Sequence, residues 1–116
     1  MVIGELAESS TEIDVVIPVY NRRESVRRLV PEILQWLGEY KNLKVYVVDD
    51  GSEEPLQDLL KDIMGLDRFY LIEHKENKGR SEARNSGVKA GESAIVAFLD
   101  VDCVPDKCWL KRFLLE

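Results

Sequence analysis

Cysteine, histidine and long apolar runs are scarce in this chain, and each shortage removes a class of protein. Cys103 and Cys108 are the only cysteines among 116 residues, and His74 is the only histidine. A zinc site built from thiolates and imidazoles therefore lacks its ligands. Two isolated thiols fit reduced structural residues of a cytoplasmic protein better than a disulfide framework. No apolar run approaches the roughly 20 residues needed to cross a bilayer. The opening M-V-I-G-E-L-A-E-S-S-T-E has neither a basic lead nor a long apolar core, so it does not read as a signal peptide. Basic residues are also few, 16 against 22 acids, for a net charge of −6. A chain of that sign is not a general nucleic-acid binder, and an anionic substrate would need a metal or a local basic cluster.

What remains is ordinary globular sequence, 45% hydrophobic and 33% charged. Residues 1–12 read as a polar lead-in and 13–116 as one domain with one core. Ile13 to Val19 (I-D-V-V-I-P-V) reads as a strand ended by Pro18, and Asn21 as the N-cap of the helix that follows. Val26, Leu29, Val30, Ile33, Leu34 and Leu37 recur at helical spacing, with Pro31 expected to kink the pattern and Gly38 to stop it. Leu43 to Asp49 is a second strand, followed by Gly51 for a turn and by Ser52 as the cap of a helix. That helix carries Leu56, Leu59, Leu60 and Ile63 inward. Arg68 to Glu73 is a third strand, and 81–90 a helix of small residues (Ala83, Ser86, Gly87, Ala90) suited to close packing. Ala94 to Leu99 is a fourth strand, and Pro105-Asp106 opens a last helix with Trp109, Leu110, Phe113 and Leu114 inward. Strict alternation of strand and helix predicts an α/β fold with a mostly parallel sheet between two helical layers.

The fourth strand runs into Asp100-Val101-Asp102. If the backbone stays extended, the two aspartates project to one side and Val101 to the other. Adjacent carboxylates repel unless a cation lies between them, and Mg²⁺ or Mn²⁺ suits an oxygen-only site completed by water and phosphate. Open α/β sheets bind ligands beyond the carboxyl ends of their strands. Polar groups fall at that edge three times, at residues 18–21, at Asp49-Asp50-Gly51-Ser52 and at 100–102. Each has an ordinary use as a cap or a turn; together they predict one crevice. Lys78, Arg80 and Arg84 would supply positive charge to it, or else form a solvated helix face. His74 reads as a surface loop residue and Asp106 as a helix cap.

P-V-Y-N at 18–21, V-V-D-D-G-S at 47–52, N-K-G-R-S-E-A-R-N-S-G at 77–87 and F-L-D-V-D at 98–102 resemble, in order and spacing, the motifs of family 2 glycosyltransferases with the GT-A fold. The resemblance spans about residues 13–116 and implies the Rossmann-like, nucleotide-binding half of such an enzyme. It implies a nucleotide-diphospho-sugar donor, UDP-linked by expectation, and an acceptor that is a saccharide, a lipid or a protein. Carried over by position, Pro18 and Tyr20 would wall the base and ribose, and Asp49 would accept from a uracil ring N–H. Arg80 or Arg84 would lie by the base or diphosphate, and Asp100 and Asp102 would hold the metal on the diphosphate.

The family's catalytic domains continue past this point, and their catalytic base lies in the later part. The chain is therefore expected to bind donor and to transfer slowly or not at all. A non-catalytic nucleotide- or partner-binding domain is the main alternative. A dehalogenase-type phosphotransferase or a receiver domain would need its acidic pair after the first strand. The apolar face of the last helix and the open sheet edge lead us to expect a second copy as cover.

Overall fold

The structure, a computed structural model, describes residues 12–93 and 95–102. Its elements are β1 (Ile13–Val19), α1 (Arg23–Glu39), β2 (Leu43–Asp49), α2 (Gln57–Leu60), β3 (Phe69–Glu73), α3 (Arg80–Ala90) and β4 (Ile95–Phe98). The polar lead-in over 1–11, both cysteines and the expected last helix lie outside the described residues.

All three strand pairings are parallel, and the strand order is β3-β2-β1-β4. β1 is central and buried on both faces. Its Val15 and Ile17 join Val45 and Val47 of β2 on the face covered by α1 and α2, against Leu29, Ile33 and Leu60. Val16, Tyr46 and Val48 face the other way, against Ala83 of α3. The three-layer arrangement follows from that alternation, because a strand with apolar residues on both faces stays buried only between two helical layers.

Several local expectations change. Pro31 neither breaks nor restarts α1, which runs through it for 17 residues. Pro31 lies on the exposed face, while Val26, Leu29, Ile33, Trp36 and Leu37 are buried. Five such side chains contribute on the order of 10 kcal/mol of burial, against about 3 kcal/mol for an internal proline. Leu34 is exposed and Trp36 takes the inward place expected of it. The helix ends at Glu39, one residue past Gly38. After β2, Ser52 caps nothing; the segment bends instead, and only Gln57–Leu60 is helical. Leu56, Leu60 and Ile63 are buried nevertheless. β3 starts one residue later than expected, because Arg68 takes a left-handed φ of 69°. Its guanidinium donates to the carbonyls of Leu37 and Tyr40 at the end of α1 and of Leu43 at the start of β2.

α3 lies against the sheet at Gly87, where an added Cβ would collide with Val16. Gly87→Ala should therefore lower stability by about 1–3 kcal/mol. Gly38→Ala, whose methyl meets nothing, should raise it by about 0.5–1 kcal/mol. Urea unfolding of the two variants checks both signs.

Candidate functional site

β2, β1 and β4 end side by side, and Pro18 decides how. Val16 O accepts from Leu99 N at 3.0 Å, the last bond of the β1–β4 ladder. Pro18, two residues on, faces the same side but has no N–H to offer the next carbonyl. β4 stops as a strand at Phe98, and residues 101–102 form a turn. The expectation that the backbone stays extended through Asp102 is thus not met. Asp102 N donates to Asp100 Oδ1 at 3.0 Å, a local turn that competes with the ladder. Val101 still points inward and is buried in the core, so both aspartates stay on the open side.

A cavity of about 330 Å³ lies over this edge. Pro18, Val19 and Tyr20 form one wall, with the Tyr20 ring 43% exposed at the rim. Asp100 and Asp102 also line it, together with Arg22, Asn77, Gly79 and Arg80. The volume is at the lower end for small-molecule sites, enough for one moiety of a nucleotide. Arg80 Nη1 stands 4.0 Å from Asp100 Oδ2. Arg22 Nε lies 3.3 Å from Asp102 Oδ2, and Ser25 Oγ lies 3.2 Å from Asp102 Oδ1. Of the expected site residues, Pro18, Tyr20, Arg80, Asp100 and Asp102 therefore share one cavity. Asp49 and Arg84 do not line it. Asp49 is buried at the end of β2 and accepts from Ser52 N at 3.0 Å. Arg84 lies under α3 with its guanidinium carbon 5.4 Å from the centre of the Phe98 ring, and its buried Nε has no partner.

The carboxylate that reaches the cavity from β2 is Asp50, which the motif reading left without a role. It is 3% exposed, accepts from Lys78 N and Gly79 N at 2.9 Å each, and meets His74 Nδ1 at 2.7 Å. A carboxylate only accepts, so Nδ1 donates, and Nε2 faces Ser86 Oγ at 2.7 Å. His74 is consequently no surface residue. Its side chain is 9% exposed and ties the loop after β2 to the middle of α3. The Ser-His-Asp order looks like a hydrolytic triad, yet Ser86 sits within a helix and does not line the cavity. The chain of bonds is a strut. The spacing of Asp50 from the 78–79 loop gave no sign of it, since the pairing joins residues 28 and 29 apart.

Two further details hold the edge together. Gly51 has a φ of 76°, and a Cβ there would strike the backbone of Glu76 and Asn77, so only glycine lets these two loops meet. Asn21, expected to cap α1, has a left-handed φ of 55° and bridges to the neighbouring loop. Its N–H donates to Ser52 Oγ, and its Oδ1 accepts from Glu53 N.

Burial pushes the Asp50 carboxyl up, but the bonds from His74, Lys78 and Gly79 outweigh that and hold it below its ordinary value of 3.8. A lowered folded value means that the stabilisation is present above the ordinary value and is lost as the pH falls through the lower one. Asp50→Asn should cost about 2–3 kcal/mol near pH 7, and the gap from the parent should close below pH 3.8. Urea unfolding across pH 2–7 measures it, a range of about five units around the carboxylate values.

Comparison with known proteins agrees with this architecture. The family described as Glycosyl transferase family 2 matches residues 14–116. The glycosyltransferase AglE of Haloferax volcanii is 32% identical over 101 residues, covering 86% of this chain and 33% of its own length. The pre-mycofactocin glycosyltransferase of Mycobacterium tuberculosis is 37% identical over 107 residues, covering 91% of this chain and 21% of its own. The chain thus spans a third or less of the length of these relatives. Among solved structures, S. aureus TarS 1-349 superimposes with a TM-score of 0.72 at 23% identity, over 88% of this chain and 31% of that one. A mannosyltransferase from Pyrobaculum calidifontis in complex with GDP-Man and Mn²⁺ gives 0.68 at 23% identity, over the same two shares. Motifs, sheet order and these matches agree: the chain belongs to glycosyl transferase family 2 and has the parallel α/β architecture of the GT-A fold.

Proposed function

We infer that residues 13–116 form the donor-binding portion of a glycosyltransferase. In this reading it holds a nucleotide-diphospho-sugar, UDP-linked, whose sugar passes to a hydroxyl of a saccharide, lipid or protein. One observation carries the reading: two exposed-side carboxylates, two guanidinium groups and an aromatic ring meet in one cavity at the carboxyl edge of a parallel sheet. The mannosyltransferase similar in fold is described with a nucleotide sugar and Mn²⁺, which favours the same ligand class here.

The residues present suit a hard divalent ion. Asp100 and Asp102 supply oxygen donors at 40% and 44% side-chain exposure. Among the described residues no group of three or more acidic, histidine or cysteine side chains gathers, so the remaining positions fall to water and substrate oxygens. When bound, Mn²⁺ or Mg²⁺ would offset the charge that builds on the leaving diphosphate. Tyr20 and Pro18 would give the base and ribose an apolar wall. Asp49, buried beside the cavity-lining Asp50 and not itself on the cavity wall, keeps from the motif resemblance alone its role of accepting from a ring N–H of the base, with Oδ1 held by Ser52. Arg80 would face the diphosphate, and Arg84 would support it from behind.

We assign the catalytic base to no described residue. Asp50 is committed to three donors, Asp49 is given to the base, and Asp100 and Asp102 to the metal.

Calorimetric titration of UDP, GDP and ADP with and without Mn²⁺ tests the assignment. UDP should bind most tightly and only weakly without metal. Asp102→Ala should weaken the metal-dependent binding on the order of tenfold or more, and Asp49→Asn should narrow the preference for UDP. Metal-dependent binding that survives Asp102→Ala would remove the metal role.

A further inference from the structure

We propose that Arg22 is a resident counter-ion of the Asp100-Val101-Asp102 segment, which exchanges its carboxylate partner for the substrate's diphosphate when a divalent cation binds. The inference rests on the donor-binding reading above.

Both oxygens of Asp102 are occupied by protein. Arg22 Nε lies 3.3 Å from Oδ2, and Ser25 Oγ lies 3.2 Å from Oδ1. Both partners come from the start of α1. A cation that takes Asp102 as a ligand must displace or share these contacts. The ion pair is well exposed, at 58% for Arg22 and 44% for Asp102, and exposed pairs are weak. A doubly charged ion beside two carboxylates therefore displaces the guanidinium readily.

Arg22 is also placed to be useful once released. It lines the cavity shared by Tyr20, Arg80 and the two aspartates, and also a second, adjoining hollow of about 460 Å³ at the start of α1. Arg23, the next residue, is held elsewhere, with Asp58 at 2.6 Å and Glu54 at 3.2 Å. Arg22 is thus the guanidinium from this end of α1 that stands free to change partner, and its fork suits two phosphate oxygens. In the metal-free chain Asp102 holds it away from that role. Metal loading frees it, so cation and nucleotide diphosphate bind with positive coupling.

The test uses Mn²⁺ and UDP on the full chain. Free Mn²⁺ is followed by its electron paramagnetic resonance signal without nucleotide, and UDP by calorimetry at saturating Mn²⁺. Arg22→Met should bind Mn²⁺ about two- to fivefold more tightly, the range of an exposed ion pair removed. The same variant should bind UDP about five- to twentyfold more weakly, as expected for a lost charged contact to phosphate. Ser25→Ala should tighten Mn²⁺ and leave UDP unchanged. Arg27→Met, which removes the same charge one turn further along α1, should change neither. Loss of fold cannot imitate a gain in Mn²⁺ affinity. If Arg22→Met binds Mn²⁺ no better than the parent, or UDP no worse, the exchange is refuted while the donor-binding reading stands. If the parent binds neither Mn²⁺ nor UDP, both fall together. An equal gain in Arg27→Met would mean general electrostatics and would also overturn it.

Discussion

Parallel pairing about β1 is the constraint on which the rest of this molecule depends. β2 and β4 flank β1 in the same direction, so the three loops that leave these strands must emerge at one edge. Residues 20, 50 and 100 are far apart in sequence, yet they line one cavity. Nothing about their own chemistry draws them together. The apolar alternation of β1, buried on both faces, fixes the sheet, and the sheet then delivers the polar groups.

Edge loops still need to be held, and here the polar network takes over. Asp50 ties the loop after β2 to the start of α3, His74 extends the tie to Ser86, and Asn21 joins the loop after β1 to Ser52. Burying a carboxylate is costly, the three donors to Asp50 offset that cost, and leaving it unpaired would cost a great deal, which makes such a strut specific as well as stable. The groups that line the cavity beside it are held differently. Asp100, Asp102, Arg22 and Arg80 are all exposed and make long or weak pairs with one another. Under the donor-binding reading, a net negative chain would meet an anionic substrate by this division: a buried, fully tied acid inside and exchangeable charges at the surface.

The sheet and the site were legible in the sequence for physical reasons. Strands with continuous apolar runs, turn residues after them and helical spacing between them leave few topologies open. The four motifs then marked the edge, and Pro18, Tyr20, Arg80, Asp100 and Asp102 do meet there. What escaped depends on contacts between distant segments. Asn21 reads locally as a cap, but Ser52 and Glu53 recruit it. Pro31 reads as a break, but the buried stripe of α1 overrides it. His74 reads as a loop residue because Asp50 and Ser86 lie 24 and 12 positions away. The turn at Asp102 follows from Pro18 on another strand, which no local pattern around Asp100 discloses.

Paramagnetic broadening by Mn²⁺ tests most directly whether that edge is the place where metal and nucleotide meet. With UDP present and the chain labelled with ¹⁵N, sub-stoichiometric Mn²⁺ should first erase the amide signals of Tyr20, Gly79, Val101 and Asp102. Ser93, which donates to Asp14 at the opposite edge of the sheet, should keep its signal. Broadening centred on Ser93 and Asp14, or spread evenly over the chain, would contradict the account.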